Sequence, residues 1–231
     1  MYNLDNTLLM CAYIRGYIIN NNNNIYISNN LILHKNLFDL TKNEIEELIS
    51  IGKKENLKLY YFKEKNELPR ITKTIGFLKN IYPTSLLDIG SGRGLFILPL
   101  LKTFPNINVT SIDILPKRVE MFKYLHDGGI ENINSYLDNI TTTKIENNSY
   151  EVVTLLEVLE HIEDVKKAIE NAVRISKKYI VITVPSKPDD NPEHIHLLTK
   201  EVLSNIFNEL NITNLKFGGV NGHLFLIVTK E

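Results

Sequence analysis

An α/β fold with a seven-stranded, mostly parallel sheet, an antiparallel last strand and helices on both faces is predicted by three observations. Apolar, β-branched runs alternate with amphipathic stretches from Ser85 onward. The connections between them are short, as βαβ units require. Near the end, two apolar runs are joined by a short Gly/Asn turn instead of a helix, the mark of a hairpin.

The elements follow in order. SLLDI, NVTSID, INSYLD, EVVTLLE and YIVITVP read as strands rich in aliphatic and β-branched residues. LPKRVEMFKYLHD and VKKAIENAVRIS read as helices between them. Repetition of this kind implies parallel strands covered on both sides. NITNLKF, then GGVNG, then HLFLIVTK supply the antiparallel pair at the sheet's edge.

Residues 1–65 form an α+β extension or lid, and residues 66–231 the main domain. Asn20 to Asn24 is a low-complexity run that reads as a loop. NIYISNNLIL reads as a small hairpin turning at Ser28–Asn30, and LKLYYFKE alternates like a strand. TKNEIEELISIGKKEN is an amphipathic helix with Thr41 and Glu44 at capping-box spacing.

Composition sets the bounds. The chain has 231 residues, enough for one α/β domain with an extension. A net charge of −1 leaves no global footprint for a phosphate backbone, although a local patch is compatible with it. Cys11 is the single cysteine, which excludes a disulfide framework and a thiolate metal cluster. TLLMCAYI is too short to span a bilayer and lacks a basic flank, so neither a signal peptide nor a membrane anchor is expected. The expectation is a soluble cytoplasmic protein without membrane insertion; no oligomeric state is assigned.

The chemistry concentrates in SLLDIGSGRG, residues 85–94. Glycines between a strand and a helix let backbone N–H groups approach a ligand without a Cβ in the way. Gly90, Gly92 and Gly94 give G-x-G-x-G, and Leu95 stands where a dinucleotide fingerprint needs its third glycine. No lysine follows as a P-loop requires, and Asp88 belongs to neither pattern.

LLDIGSGRG resembles the first motif of the class I S-adenosylmethionine-dependent methyltransferases, and the resemblance covers residues 66–231 with a Rossmann-like sheet. It implies that Asp88 faces the amino-acid portion of S-adenosylmethionine while the loop of Gly90, Ser91, Gly92 and Gly94 runs beneath the ribose. A second acid ending the next strand holds the ribose hydroxyls, because a carboxylate accepts two hydrogen bonds from a vicinal diol. Asp113 stands there, 25 positions after Asp88. Ile114 then packs on the adenine, and Asp138 with Asn139 meets the adenine amino group. Three acids at the carboxyl ends of successive strands fit where open α/β sheets bind ligands. Each also has a plainer reading: structural glycines, Asp113 as the N-cap of the next helix, Asp138 in an Asx turn.

The stretch LLEVLEHIED follows the fourth strand. Glu157, Glu160 and His161 stand at i, i+3 and i+4, so a helical turn places all three on one face. Two carboxylates beside an imidazole make half of a divalent metal site. In NPEHIHLLT, His194 and His196 alternate on extended chain, so one of them points inward. E-V-L-E-H is similar to ubiquinone-pathway O-methyltransferases and to small-RNA 3′-terminal 2′-O-methyltransferases, in which two glutamates and two histidines bind a divalent metal. By position, Glu157, Glu160, His161 and His194 match that set for Mg, Mn or Zn, with Glu157 also beside the cofactor. Ile162 departs from the RNA enzymes, which carry a second adjacent histidine there. His161 and His194 are the candidate catalytic residues, His161 as base or substrate orienter. The competing reading makes Glu160 and Glu163 dipole-matching decoration of a helix start.

After the fifth strand, VPSKPDDNPEHIH reads as a stiff loop whose Lys187, Asp189, Asp190 and Glu193 contact substrate or simply face solvent. The N-P-P-Y type tetrapeptide of nucleobase amino methyltransferases is absent, which favours an oxygen acceptor on a small molecule. RNA ribose is the alternative acceptor. A non-catalytic S-adenosylmethionine-binding protein and an NAD-dependent oxidoreductase are the rivals from other classes.

Overall fold

The computed structural model describes residues 4–21, 27, 30–63, 68–188 and 190–230. Helix α1 (Asn6–Asn20) is followed by short 3-10 turns at Asn30–Leu33 and Leu37–Asp39, then α2 (Lys42–Lys54), a 3-10 turn at Leu59–Phe62 and α3 (Pro69–Ile81). The sheet region runs β1 (Ser85–Ile89), α4 (Ile97–Thr103), β2 (Asn108–Asp113), α5 (Pro116–Asp127), β3 (Ile133–Leu137), β4 (Tyr150–Leu156), α6 (Val165–Ile175), β5 (Ser176–Pro185), α7 (Lys200–Glu209), β6 (Leu215–Val220) and β7 (His223–Thr229).

The seven strands lie in the order β3-β2-β1-β4-β5-β7-β6. β1 to β5 pair in parallel, and β7 runs antiparallel to both β5 and β6. The seven-stranded, mostly parallel expectation is therefore met. The two-residue turn Asn221–Gly222 has positive φ at both positions (38° and 85°), as a type I′ hairpin demands. GGV, read from sequence as turn, belongs to β6; the turn is shorter than expected because Asn-Gly alone satisfies it.

Strand periodicity divides the core between the two faces of the sheet. Leu86, Val109, Val152 and Val181 pack with α1, α3, α4 and α5. Their neighbours Leu87, Ile112, Val153 and Ile182 pack with α6 and α7. Successive strand residues point to opposite faces, so each apolar run serves both layers.

The N-terminal residues share the first of these cores. Leu9, Ile14 and Ile18 of α1 are buried with Met121, Phe122 and Leu125 of α5. The approach is close: a Cβ on Gly16 would stand 1.9 Å from the Tyr124 carbonyl oxygen, and one on Gly128 1.8 Å from that of Ala12. Buried Arg15 donates to the carbonyls of Leu33 (2.7 Å) and Lys35 (2.8 Å), tying the following turns to α1. Thr41 and Glu44 form the expected capping box on α2.

Two N-terminal expectations fail. LKLYYFKE is no strand where it is described: Leu59–Phe62 makes a 3-10 turn that buries Leu59 and Phe62 on one side. Leu59 and Phe62 are the buried pair at i and i+3, the spacing of a 3-10 turn, and the Tyr60–Tyr61 pair between them breaks the strand alternation. The hairpin at Ser28–Asn30 finds a 3-10 turn beginning at Asn30; Ser28 and Asn29 lie outside the described residues, as do Asn22 to Asn24. No helix among the described residues is long and apolar enough to cross a membrane.

Candidate active site at the carboxyl ends of the strands

β1 ends in Asp88 and Ile89, and the chain turns sharply through Gly90, Gly92 and Gly94, all with positive φ (66°, 55° and 75°). Only glycine adopts these angles readily, which explains three of them in five positions. The turn leads to a cavity of about 190 Å³ lined by Arg70, Asp88, Gly90, Ser91, Gly92, Arg93, Phe96 and Glu157 among others.

Asp88 is buried at the floor of this cavity. Thr154 Oγ1 donates to its Oδ1 at 2.5 Å. Burial pushes its carboxyl up to about 7; hydrogen bonding from Ser91 and Thr154 opposes the shift and the charge of Asp113 adds to it. Ser91 Oγ also accepts from Ser111 Oγ at 2.7 Å, joining the glycine loop to β2.

Asp113 ends β2 and fixes the loop from the other side. Its Oδ2 accepts from Gly92 N–H at 3.2 Å and its Oδ1 from Leu115 N–H at 2.9 Å. It does not cap α5, since Leu115 occupies that position. Ile114 is 65% exposed, an aliphatic side chain left open at the strand's end. Asp138 accepts from Asn139 N–H at 2.8 Å and from Thr143 Oγ1, and Asn139 Oδ1 accepts from Thr141 N–H at 2.9 Å. Both residues are thus built into a turn beyond β3.

Beyond β4 the chain departs from the helical turn expected there. β4 runs to Leu156, Glu157 takes a left-handed conformation (φ 59°), and a 3-10 turn covers only Leu159–His161. Glu157 is therefore separated from the other two. Glu160, His161 and His194 come together, with one potential ligand atom from each within 4.8 Å of the others, whereas Glu157 turns to the cavity. Glu160 is buried, not decorating a helix start; α6 begins at Val165 with Asp164 as its cap. The imidazoles of His161 and His194 meet edge to face at 4.8 Å between centroids.

The loop after β5 is pinned to this turn. Ile195 N–H donates to the Glu160 carbonyl at 2.9 Å. His161 Nδ1 lies 2.9 Å from the Glu193 carbonyl oxygen, so Nδ1 carries a proton and Nε2 keeps its lone pair. His194 is half-buried while His196 is exposed, as alternation required. Lys187, Asp190 and Glu193 face solvent, and Asp189 lies outside the described residues.

The donor set of Glu160, His161 and His194 suits a borderline divalent ion such as zinc or manganese: one hard oxygen and two imidazole nitrogens. The His161 contact to a carbonyl is the outer support that metal-binding histidines commonly have. Sequence reasoning missed Arg70 and His223, which both meet Glu157. Neither stands in a motif; they reach the cavity from α3 and from the start of β7.

Residues 87–181 match the family described as Methyltransferase domain. A ubiquinone biosynthesis O-methyltransferase of Rickettsia canadensis is 36% identical over 105 residues, 45% of this chain and 43% of that protein. One of the same name from Rickettsia typhi is 30% identical over 173 residues, covering 66% of this chain and 68% of that one. A ribosomal RNA small subunit methyltransferase G of Streptococcus pyogenes is 45% identical over 62 residues, 26% of each chain. Among solved structures, a SAM-dependent methyltransferase from Aquifex aeolicus shares the fold, with a TM-score of 0.55 at 18% identity over 71% of this chain and 90% of that one. The chain spans less than half the length of the R. canadensis relative. With its seven-stranded sheet and the reach of the R. typhi match, the chain belongs to the class I S-adenosylmethionine-dependent methyltransferases.

Proposed function

We propose that this protein transfers a methyl group from S-adenosylmethionine to an oxygen atom of a small molecule. The observation that carries the reading is the adjacency of two sites at the sheet's carboxyl end. An acid-and-glycine cavity follows β1 and β2, and the Glu160–His161–His194 group follows β4 and β5. The names of the Rickettsia relatives favour oxygen as the acceptor atom.

The residues present fit the cofactor. Glu157 Oε1 is buried without a hydrogen-bond partner among the described residues, beside Asp88 on the cavity wall; both suit an ammonium group. Asp113 would then hold the ribose hydroxyls and exposed Ile114 would meet the adenine face, with Asp138 and Asn139 at the adenine amino group; the exposure of Ile114 at the end of β2 supports this reading. S-adenosylmethionine supplies a methyl group already activated on a sulfonium. The protein's part is to orient the acceptor in line with it and exclude water, a contribution of about 7–11 kcal/mol. His161, with its Nε2 lone pair free of the Glu193 carbonyl, takes the acceptor's proton or orients it, and His194 stands beside it.

Glu160, His161 and His194 would alternatively hold a divalent metal, which would occupy the His161 Nε2 lone pair and itself acidify the acceptor hydroxyl in place of His161 as base. Residues 1–65 we read as an extension of the methyltransferase domain, supported by the seating of α1 on α5.

Purified protein incubated with methyl-radiolabelled S-adenosylmethionine and cell extract, with and without chelator, tests the reading. Label in the small-molecule fraction supports it, and chelator sensitivity supports the metal. Label in RNA would promote the second reading, a ribose 2′-hydroxyl acceptor; the segment shared with the ribosomal RNA enzyme favours RNA as substrate and not a particular acceptor atom. Cofactor binding without label in any fraction would favour a non-catalytic binding protein.

A further inference from the structure

Three side chains from separate elements close a ring at the cavity. Glu157 Oε2 lies 2.8 Å from His223 Nδ1. His223 Nε2 lies 3.4 Å from Arg70 Nη1. Arg70 Nε lies 4.0 Å from Glu157 Oε1. Arg70 comes from the first turn of α3, Glu157 from the residue after β4 and His223 from the start of β7. All three side chains are mostly shielded, at 19%, 19% and 24% exposure.

Elementary donor and acceptor chemistry fixes the protons in this ring. A guanidinium only donates, so His223 Nε2 must offer its lone pair to Arg70. A carboxylate only accepts, so the 2.8 Å approach of His223 Nδ1 to Oε2 is attractive only when Nδ1 carries the proton; it is a close ion-pair contact without hydrogen-bond alignment, and Nδ1 makes no hydrogen bond among the described residues. Between one cation and one anion, Nδ1–H is the neutral tautomer of His223 that suits both neighbours. With His223 Nδ1 against Oε2 and Arg70 Nε 4.0 Å from Oε1, Oε1 lies on the cavity wall without a hydrogen-bond partner among the described residues. The left-handed backbone at Glu157 is unfavourable for a residue with a Cβ and persists where its surroundings over-determine it. The ring is such a surrounding.

We propose that His223 is a positioning residue: held as the Nδ1–H tautomer by Arg70, it fixes Glu157 so that Oε1 faces the amino-acid portion of S-adenosylmethionine. The inference rests on the reading of this cavity as the cofactor's. It also accounts for why Glu157 stands apart from Glu160, His161 and His194 although the sequence spaces it with them.

The test is S-adenosylhomocysteine binding by titration calorimetry on the full chain, for the wild type and the variants H223F, H223N, E157Q and H223F/E157Q. H223F is expected to weaken binding about tenfold, the loss of one charge-assisted contact. H223N, whose amide nitrogen takes the place of Nδ1, should recover most of that loss, and the double variant should bind no worse than E157Q alone. Wild-type affinity in H223F, or independent losses in the double variant, overturns the proposal. Nitrogen NMR of the wild-type ring adds a readout that needs no variant: a proton on Nδ1 is expected, and one on Nε2 overturns the assignment. Absence of wild-type binding would remove the cofactor reading itself and this inference with it. Normal wild-type binding with an indifferent H223F removes the inference alone.

Discussion

Asp88 and Thr154 face each other in register across the β1–β4 pair, and the threonine hydroxyl donates to the buried carboxyl at 2.5 Å. The hydroxyl supports the charged form of an acid that burial otherwise holds near neutrality.

A pH dependence follows from that pair. The Asp88 carboxyl is raised from 3.8 to about 7, so its favourable contribution to folding is complete below pH 3.8 and is lost as pH rises through about 7. The ligand-free protein should therefore lose thermal stability across that window, and D88N should flatten the slope. Binding of an ammonium-bearing ligand needs the charged form, so affinity for S-adenosylhomocysteine should rise through pH 7. T154V, lacking the donor, should move that midpoint upward. Calorimetry over a pH series measures both.

Asp113 gives a second expectation. D113N places an amide N–H₂ against either Gly92 N–H or Leu115 N–H, since both carboxylate oxygens now accept. One backbone donor loses its partner, and the glycine loop moves. S-adenosylhomocysteine affinity should fall by about tenfold or more, read by calorimetry, with D113E giving no rescue because its carboxylate sits one methylene further out.

The three-residue metal group is tested by metal titration alone. Mn²⁺ or Zn²⁺ binding to the purified protein should weaken by at least about tenfold in E160Q, H161N or H194N. E157Q should leave it unchanged, because Glu157 stands outside that group. Loss of metal binding in E157Q would restore the four-ligand arrangement that the sequence suggested.

Packing of α1 on α5 predicts opposite outcomes for glycines of the same type. G16A or G128A drives a methyl group into a carbonyl oxygen less than 2 Å away and should cost about 3 kcal/mol or more, seen as a lowered denaturation midpoint. Gly76, exposed in the middle of α3 with nothing near its would-be Cβ, should instead tolerate alanine with a gain of about 0.5–1 kcal/mol.

Much of this architecture is legible in the chain. Strands β1, β2, β4 and β5 carry apolar residues toward both faces because both faces are covered, and Asn221–Gly222 marks the hairpin by its backbone preference alone. Asp88, Asp113 and the glycines can be read because a strand end followed by a tight turn is a local pattern. Other features depend on distance in the chain and leave no local trace. Arg70 and His223 are 153 residues apart and meet only because β7 inserts beside β5. The spacing of Glu157 from Glu160 and His161 suggested a shared helical face, but β4 extends to Leu156 and Glu157 bends away before any helical turn begins. In Leu59–Phe62 the buried pair lies three residues apart, so the alternation seen around Lys58 does not extend into a strand.

Strand β7 enters the sheet between β5 and β6, so the strand that comes after all the others in the sheet is an interior one. A chain emerging from the ribosome can assemble β1 to β5 and the glycine turn, yet it lacks His223 and the antiparallel cover of β5. Until β7 has joined it, β5 is an open strand edge exposed to pairing with other chains.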